Sequence, residues 1–563
     1  MQIKNQFRLI IVFLLFLLSS FSVRAQIPKP NFTRTRTFDV QHYIIRVSFD
    51  RANKTVFGDT TVQLKPLKEN FKTIELDAAN LKFESVVLEP QNKNLDYKMT
   101  GEKVYISLDK TYSPNELISV RLKYSTKPKK GVYFVDAETE NGKIVRDAQV
   151  WSQGEAEEAH FWFPSYDFPD DKATSEEFIT VENGETAIGN GELLETTENA
   201  DGTQSFHYKM PIVHSSYLTS FVVGKYAKAA DSYKNIPLGF YLYTDKISLA
   251  PAAFGNTKNM MRAFEELTGV DFPYNKYDQT IVAKFNFGGM ENITATTFAD
   301  NDILLADTGF GKEIVTDLVS HELAHSWFGD MVTCKNWAEL WLNEGFATFM
   351  EAAYREKING RADYLRAIKE DALEFKASEA GSHRQRGLFF QAALPDDSLF
   401  DIHNAAITYQ KGGAVIHTLR ETVGSEKFWR AINVYLNRHK FQNVETGDLQ
   451  KAMEDASGMN LDWFFSQWVY GAGYPKLSVQ HIYNPKTKTL SLTVTQMQKA
   501  DGKTPSAFRL PMNVEITTPT GSTSQNIEIK KRTETFKLPT DGEPIKIILD
   551  KEEKIPLKSV KYL

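Results

Sequence analysis

Hydrophobic and polar residues alternate along the first part of the chain, from about Asn31 to Tyr226. The alternation is clear in one apolar series that takes every second position: Tyr43, Ile45, Val47 and Phe49. A period of two places such residues on one face of a β-strand. Gly58-Asp59 and Gly189-Asn190-Gly191 are typical of turns between strands. The pattern predicts an antiparallel β domain of short strands.

After about Ser232, apolar residues recur three and four positions apart, which is the period of a helix. The helices that this spacing predicts are Thr257–Leu267, Lys312–Phe328, Ala338–Glu356, Ala405–Thr422 and Glu426–Asn437. Two strand-like segments interrupt them around a double glycine: Thr280–Phe285 and Ile293–Phe298. From Gly473 onward the alternation returns, and about 90 residues of this kind predict a small β-sandwich.

These patterns predict a multidomain α+β protein. The expected units are a signal peptide over residues 1–25, an N-terminal antiparallel β domain over 26–230, a mainly helical domain over 231–472 and a C-terminal β-sandwich over 473–563. No large helical C-terminal domain is expected. A chain of 563 residues has room for roughly three or four domains.

The first 25 residues have the layout of an export signal. Lys4 and Arg8 precede the apolar run Leu9–Leu18, and Val23-Arg24-Ala25 offers a cleavage site before Gln26. A membrane span needs about 20 apolar residues, so this run is too short to be an anchor. No later segment combines that length with an absence of charge, and we expect no membrane span in the mature protein.

The composition changes the picture in two respects. With 42% hydrophobic and 25% charged residues the chain is typical of globular proteins, and its net charge of −6, without a basic block, argues against nucleic acid as a partner. The single cysteine, Cys334, excludes an internal disulfide framework despite the export signal. These features favour a bacterial periplasm or the cell exterior. For Cys334 itself, packing is favoured over metal binding.

The segment His321-Glu322-Leu323-Ala324-His325 carries the first candidate chemistry. Residues four apart lie on one face of a helix, so both imidazoles can reach one metal ion, with Glu322 beside it as a candidate base. The same pentapeptide would arise by chance in about one chain in a hundred, so it needs support from a third ligand. Catalytic zinc takes three protein ligands and leaves a fourth position for water.

The third ligand has to be sought downstream of His325. The extended pattern H-E-x-x-H-x-x-G-x-x-H fails, because Phe328 and Met331 stand where it needs glycine and histidine. Glu344 is the alternative, but 19 residues of continuous helix would separate it from His325 by about 28 Å. A turn over Gly329–Asn336 must therefore reverse the chain so that two helices pack antiparallel.

Two motifs together resemble a known family. His321-Glu322-x-x-His325 is followed after eighteen residues by Glu344 within Asn-Glu-Gly-Phe-Ala, and Gly288-Gly289-Met290-Glu291-Asn292 is similar to a G-x-M-E-N exopeptidase motif. The chain thereby resembles the aminopeptidase N family, which is peptidase family M1 of the gluzincin type. Further similarity lies in Trp327-Phe328-Gly329, Tyr409-Gln410-Lys411-Gly412 and the segment 468–475, so that the likeness covers most of the chain.

The resemblance implies a thermolysin-like catalytic domain that binds one Zn²⁺ per chain. It implies the following roles: His321, His325 and Glu344 as metal ligands, Glu322 and Tyr409 as catalytic residues, and Gln153, Glu155, Gly288, Gly289, Met290, Glu291 and Asn292 as substrate-binding residues. The glycines also have a physical reason, since they let a strand edge approach and pair with an extended peptide. Two glutamates near the metal suit a cationic α-ammonium.

The expected activity is removal of the N-terminal residue from peptides. Glu322 would take a proton from a zinc-activated water and pass one to the leaving amine, while Tyr409 would stabilise the oxyanion. Glu291 and Glu155 would bind the free α-amine. Asp330 and Glu339 are candidates for orienting the histidines through their second ring nitrogens, and are equally plausible as surface carboxylates.

Three other functions are compatible with parts of the pattern. A gluzincin endopeptidase would ignore the amine and cut inside chains. An epoxide hydrolase is disfavoured, because the leukotriene-hydrolase branch of the family has a helical tail in place of the β tail. A peptide-binding scaffold without activity is disfavoured by the complete set of candidate ligands. Larger relatives close the site with a helical C-terminal domain, and a homodimer could supply that cover here.

Overall fold

The structure is a computed structural model that describes residues 33–381, 386–390 and 399–563. The predicted signal peptide, residues 1–25, lies outside the described residues. In the part of the chain that is described, no helix is both long enough and apolar enough to cross a membrane.

An eight-stranded sheet forms the body of the first domain. Its strands in spatial order are Glu192–Glu198, Thr203–Ser215, Lys172–Glu182, Phe38–Asp50, Thr55–Pro66, Ile118–Thr126, Lys82–Glu89 and Lys93–Asn94. Smaller sheets comprise Phe71–Asp77, Lys103–Tyr112 and Asp96–Thr100; Thr186–Gly189, Phe221–Gly224, Gln149–Ser152 and Val132–Val135; and Glu138–Glu140 with Lys143–Arg146. The predicted antiparallel β domain is confirmed, with one parallel pairing among these described strands, between Phe38–Asp50 and Lys172–Glu182.

Gly58 does not mark a turn, contrary to the prediction from the Gly58-Asp59 pair. It lies inside the strand Thr55–Pro66 and pairs with Val47 on one side and Tyr124 on the other. A β-carbon at position 58 would come within 2.1 Å of the Tyr124 ring. Glycine is therefore needed here for close approach of an aromatic ring, and the chain turns earlier, over residues 51–54.

A five-stranded sheet opens the second domain. Its order is Ala227–Tyr233, Ile236–Leu242, Tyr277–Val282, Ala295–Ala299 and Gly289–Met290. The two strand-like segments around the double glycine thus form the neighbouring parallel strands Tyr277–Val282 and Ala295–Ala299. The short strand Gly289–Met290 pairs antiparallel with Ala295–Ala299 and is the edge of the sheet.

Helices make up most of the rest of this domain. The α-helices are Ala250–Phe254, Thr257–Thr268, Asp300–Ile303, Gly311–Ala324, Trp341–Asn359, Arg361–Gly381, Ile402–Ala406, Gly412–Val423, Ser425–Arg438, Thr446–Ser457 and Asp462–Phe465. Short 3₁₀ turns occur in the first domain at Ala159–Phe161 and Ser216–Leu218, and in the second at Thr244–Leu249 and Trp337–Glu339; π-helical turns occur at Ile407–Lys411 and Ser466–Tyr470. A two-residue parallel bridge joins Thr333–Cys334 to Asn443–Val444. Each predicted helix is present, and the predicted helix over Ala405–Thr422 contains a π-helical turn.

Two long helices were not among those predicted, Arg361–Gly381 and Thr446–Ser457. In the first, the buried residues recur at helical spacing between many charged ones: Tyr364, Ile368, Ala372 and Phe375. Its polar residues outnumber this narrow apolar stripe, so the segment resembles a solvated stretch when composition alone is considered.

The last described residues form two packed sheets, which confirms the predicted C-terminal β-sandwich. One contains Thr533–Pro539, Thr489–Gln496, Lys476–Asn484 and Ser559–Tyr562, and the other Gly521–Ile529, Leu510–Thr518 and Lys546–Leu549. Their inner faces bury alternate residues such as Leu490, Leu492, Val514 and Ile516.

A buried histidine joins the helical domain to this sandwich. Tyr364 and His417 share a hydrogen bond of 2.6 Å at Nδ1, and His417 Nε2 lies 2.8 Å from the carbonyl oxygen of Glu553. His417 is fully buried, and burial lowers its pKa to about 4. The neutral imidazole therefore bridges a hydroxyl and a backbone carbonyl across the domain boundary.

Candidate functional site

The helix Gly311–Ala324 positions the two histidines. Val315, Val319 and Leu323 form one face of this helix and are buried in the core. Another face of the helix is thereby turned toward a cavity. On that second face lie His321 and, as the residue that ends the helix, His325. Their ring centroids are 4.8 Å apart, and both side chains are buried.

After His325 the chain reverses, as the spacing to the third candidate ligand requires. The backbone N–H of Asp330 donates to the carbonyl of His325, and Gly329 has a φ of +137°, which favours glycine. The ammonium of Lys172, on a strand of the first domain, donates to the carbonyls of Asp330 and Met331. The next long helix, Trp341–Asn359, then runs back past the histidines.

This reversal brings Glu344 to the histidines. Its Oε2 lies 3.2 Å from His321 Nε2 and 3.3 Å from His325 Nε2. The three side chains are one of the groups in the described residues whose ligand atoms converge closely enough to hold a metal ion. Cys334, buried in the connection, belongs to none of these groups.

The other nitrogen of each imidazole is already engaged. His321 Nδ1 lies 2.6 Å from Glu351 Oε1, and His325 Nδ1 lies 2.9 Å from the carbonyl oxygen of Phe328. These contacts turn both Nε2 atoms toward Glu344. Fixing the ring through its second nitrogen is typical of metal-binding histidines.

Asp330 and Glu339, for which the sequence left two roles open, neither orient the histidines through their side chains nor lie on the surface, since both are buried. Asp330 meets His325 only through its backbone N–H, whereas the Glu339 carboxylate accepts hydrogen bonds from the N–H and hydroxyl of Thr446. The residue that sequence reasoning missed is Glu351. The spacing could have indicated it, because a residue seven positions after Glu344 lies two helical turns further along the same face.

The donor set fits a tetrahedral dication. Bonds of about 2.0–2.1 Å to a tetrahedral ion place neighbouring ligand atoms about 3.3 Å apart, which matches the two measured separations from Glu344. Two imidazoles, one carboxylate and an open fourth direction form a typical catalytic zinc set. Burial alone would raise the pKa of Glu344, but the two histidines lower it to about 2 and keep it anionic.

Glu322 lies beside the three candidate ligands with little freedom to move. It is buried, and burial raises its pKa to about 8, against the opposing effect of both histidines. Its Oε2 has no hydrogen-bond partner among the described residues. On the other side lies the edge strand Gly289–Met290, whose unpaired edge can accept an extended peptide.

Two further carboxylates lie beside the candidate metal ligands. Glu155, which follows the first-domain strand Gln149–Ser152, and Glu291 converge with Glu344 into a second close group. Glu155 and Glu291 are both buried, and each has one oxygen without a partner in the described structure. Burial first, and then repulsion from Glu291 and Glu344, raises the pKa of Glu155 well above its usual range. A cation bound beside these carboxylates would relieve their repulsion.

Of the remaining candidate residues, Gln153, Met290 and Tyr409 line the cavity, whereas Asn292 does not. Gln153 donates through Nε2 to the sulfur of Met290 at 3.1 Å, and both line the cavity. The Tyr409 ring lies over the His321 ring, with centroids 5.8 Å apart and an angle of 12°. Asn292 does not line the cavity, contrary to expectation, because its buried amide donates to Thr297 Oγ1 and holds the turn behind the motif.

Paired glycines bring the Tyr409 segment close to the ligand helix. A β-carbon at Gly345 would come within 3.0 Å of the Gly412 α-carbon, and one at Gly412 within 2.8 Å of the Gly345 α-carbon. The helix backbones at these positions therefore touch. Since Tyr409 is three residues before Gly412, this contact sets its distance from Glu344.

These residues surround one cavity of about 520 Å³. Its lining includes residues of both domains: Gln153, Glu155, Gly288, Gly289, Met290, Glu291, Ile314, Asp317, Leu318, His321, Glu322, His325, Glu344, Thr348, Glu351, Asp371, Glu374 and Tyr409. The cavity therefore carries many carboxylates among apolar side chains such as Ile314 and Leu318, with a candidate metal centre in one wall.

Comparisons with known proteins agree with this arrangement. A peptidase M1 N-terminal domain matches residues 39–218, a peptidase family M1 domain matches 252–468, and a domain of unknown function with an Ig-like fold matches 473–551. A solved structure of aminopeptidase A from Legionella pneumophila in complex with aspartic acid has the same fold, with a TM-score of 0.80 at 21% identity. That likeness covers 94% of this chain and 60% of the other.

Curated relatives give sequence similarity over similar lengths. Aminopeptidase 2 of Candida albicans is 25% identical over 90% of this chain and 55% of its own, and glutamyl aminopeptidase of Bitis rhinoceros is 31% identical over 76% and 45%. Aminopeptidase N of Streptomyces lividans is 34% identical over 58% of this chain and 38% of its own. The chain thus spans about half the length, or less, of these relatives.

Proposed function

The chain belongs to peptidase family M1, and from that premise we propose that it is a zinc-dependent aminopeptidase that removes the N-terminal residue from peptides. The observation that carries the proposal is one cavity that contains both the His321, His325 and Glu344 group and the buried carboxylates of Glu155 and Glu291, each with one oxygen that has no hydrogen-bond partner in the described structure. The first suits a catalytic dication, and the second suits a peptide ammonium.

The metal would be held by His321, His325 and Glu344, and when bound it would supply Lewis-acid polarisation of the scissile carbonyl and of a water molecule. Glu322 would do the proton transfer. Its raised pKa suits a group that takes a proton from the attacking water and then delivers one to the leaving amine.

Tyr409 would stabilise charge on the carbonyl oxygen. The Tyr409 ring is held against His321, and burial followed by the neighbouring carboxylates raises its pKa well above its usual range. The hydroxyl therefore stays protonated and can donate a hydrogen bond as negative charge develops.

Glu155 and Glu291 would fix where the chain is cut. Their buried, mutually repelling carboxylates are stabilised by a cation, which a free α-ammonium supplies. Glu155 and Gln153 come from the first domain and line the same cavity as Glu291, so an α-ammonium held between the two carboxylates would place the start of the peptide there. This geometry favours an exopeptidase over an endopeptidase.

The test uses alanyl and leucyl p-nitroanilides in free and N-acetylated form, with and without a chelator, together with the zinc content of the purified protein. We expect turnover of the free amines only, loss of turnover with the chelator, and recovery with stoichiometric zinc. Equal turnover of acetylated and free substrates would contradict the amine site. Activity that survives complete removal of metal would contradict the zinc centre.

A further inference from the structure

The two ends of the cavity are built from different sets of acids. Glu155 and Glu291 lie at one end. The other end carries a separate set, which we name the acidic wall: Asp317, Glu351, Asp371 and Glu374. Apart from Glu351, which also holds the His321 ring, the acidic wall has no part in the proposed chemistry, and its residues were not singled out by any motif in the sequence.

Three helices contribute to the acidic wall. Asp317 precedes His321 by one turn on the helix Gly311–Ala324, and Glu351 lies on the helix Trp341–Asn359. Asp371 and Glu374 are three residues apart on the helix Arg361–Gly381, so both lie on one face of it. The cavity surface they share is therefore fixed by helices and not by a loop.

Only two of the four carboxylates of the acidic wall have a basic partner in the described structure. Asp317 forms an ion pair with Arg355, and Glu351 is engaged by His321. Asp371 and Glu374 have no Lys or Arg within ion-pair distance among the described residues. Burial raises the pKa of Asp371 well above its usual range, and repulsion from Glu351, Glu374 and Asp317 adds to the effect. This end of the cavity therefore favours a cation.

The acidic wall does not form a metal site in the described structure. The His, Cys, Asp and Glu groups whose ligand atoms converge all lie around His325, Glu344 and Glu291, and none of the acidic-wall residues belongs to them. Spread carboxylates suit a long, flexible cationic side chain better than a compact ion. Between the two acidic ends lies Glu322, buried and with an unpartnered Oε2, in the same cavity.

The direction of a bound peptide follows from the ligand helix. Glu291 Oε1 lies 3.9 Å from His325 Nδ1, so the amine end of the cavity is at the His325 end of the helix. Asp317 is eight residues earlier, which is about 12 Å along the helix axis. An extended peptide rises about 3.3 Å per residue. Asp317 therefore lies beside about the fourth residue of a peptide whose amine contacts Glu291. Glu351 contacts His321, which is only about 6 Å along the axis, so a long side chain on the second residue can reach the acidic wall there.

We propose that the acidic wall selects peptides with arginine or lysine directly after the residue that is removed. This inference rests on the proposed aminopeptidase function, because that function sets the direction of the peptide. It also predicts that a dipeptide with a free carboxylate is a poorer substrate than its amide, since the carboxylate would lie against the acidic wall.

The test compares three amidated tripeptides that differ at one position: Ala-Arg-Ala-amide, Ala-citrulline-Ala-amide and Ala-Glu-Ala-amide. Citrulline has nearly the shape of arginine without its charge. We expect kcat/KM for alanine release to be about tenfold higher for arginine than for citrulline at low ionic strength, and lowest for glutamate. The ratio should fall toward one at about 0.5 M salt, because screening weakens charge pairs in an open cavity.

Variants assign the preference to the acidic wall. The double substitution Asp371→Asn and Glu374→Gln should reduce the arginine-to-citrulline ratio to about twofold or less. Glu370→Gln is the matched control, since Glu370 lies on the same helix, pairs with Arg366 and is outside the cavity lining. The control should keep the ratio. A ratio near one in the unaltered protein, or an unchanged ratio in the double variant, would overturn the inference.

Binding separates this inference from the proposed function. The Kd of each tripeptide for the zinc-loaded Glu322→Gln variant, measured by calorimetry, does not depend on turnover. A lower Kd for the arginine peptide supports the acidic wall even if no tripeptide releases alanine, a result that would refute the aminopeptidase function alone. Equal Kd values for arginine and citrulline would refute the acidic wall alone.

Discussion

Glu322 lies directly against Gly289: a β-carbon at position 289 would come within 2.2 Å of Glu322 Oε1 and 2.6 Å of its Cγ. The glycine therefore does more than free a strand edge for a peptide. It leaves the space in which the candidate base is held.

Replacing Gly289 by alanine should displace Glu322 and lower kcat by about a hundredfold, since a shift of about 1 Å in a catalytic group costs this much. Zinc content should stay stoichiometric, because the metal ligands are on other elements. The matched variant is Gly288→Ala, whose β-carbon would meet the movable Leu318 Cδ1 at 3.1 Å and nothing else closer than 3.7 Å. A loss in Gly288→Ala as large as that in Gly289→Ala would show that Glu322 is not the affected group.

Glu322→Gln should retain zinc and lose about a thousandfold or more in kcat, because the amide keeps the shape but cannot accept the proton. The measurement pairs metal analysis with steady-state kinetics on an alanyl p-nitroanilide. If the variant keeps more than a tenth of the activity with full zinc, another group is the base.

Glu351→Gln should weaken zinc binding by about 10- to 100-fold, because the 2.6 Å contact with His321 Nδ1 fixes the ring and its tautomer. Competition with a chelator of known affinity measures the effect, and saturating zinc should restore much of kcat. The comparison variant is Glu339→Gln, whose carboxylate contacts Thr446 and not an imidazole. Equal zinc affinity in both variants would remove Glu351 from the support of the site.

Stability should depend on pH through His417. Its pKa falls from an ordinary 6.5 to about 4 in the fold, so the unfolded chain binds the proton first as the pH drops. The stabilisation is complete above pH 6.5 and is lost toward pH 4, by about 2–3 kcal/mol between pH 7 and pH 4.5.

Urea unfolding at pH 7 and at pH 4.5 checks this, with His417→Gln as the reference. The free-energy difference between wild type and variant should shrink by about 2–3 kcal/mol at the lower pH. Parallel pH dependence in the two proteins would show that His417 does not titrate in this range.

Much of the fold was predictable because apolar spacing reports directly on secondary structure. Thr257–Thr268 and Ser425–Arg438 were predicted almost to their ends, and the reversal before Glu344 followed from helix geometry alone. Gly58 was misread because a glycine that makes room for an aromatic ring has the same one-letter pattern as a glycine in a turn. Spacing contains no information about what lies across the sheet.

The site was predictable where its residues share a motif, and less so elsewhere. Glu351 was missed although it shares a helix face with Glu344, because no rule of composition distinguishes it from a solvated acid. Asn292 was placed in the cavity because it belongs to the motif, but its amide turns inward to Thr297. Asp371 comes from a third helix, and only packing shows that it reaches the same cavity.

Lys172 and Glu155 belong to the first domain but contact residues of the second, so the second domain alone does not contain the whole site. Lys172 holds the carbonyls that follow the ligand helix, and Glu155 completes the amine end. A recombinant fragment limited to residues 231–472 would keep every metal ligand. It would lack Glu155, which is proposed to bind the peptide amine, and Lys172, which donates hydrogen bonds to the backbone after His325. Transplanting the first domain of a relative should therefore alter substrate choice while leaving zinc stoichiometry intact.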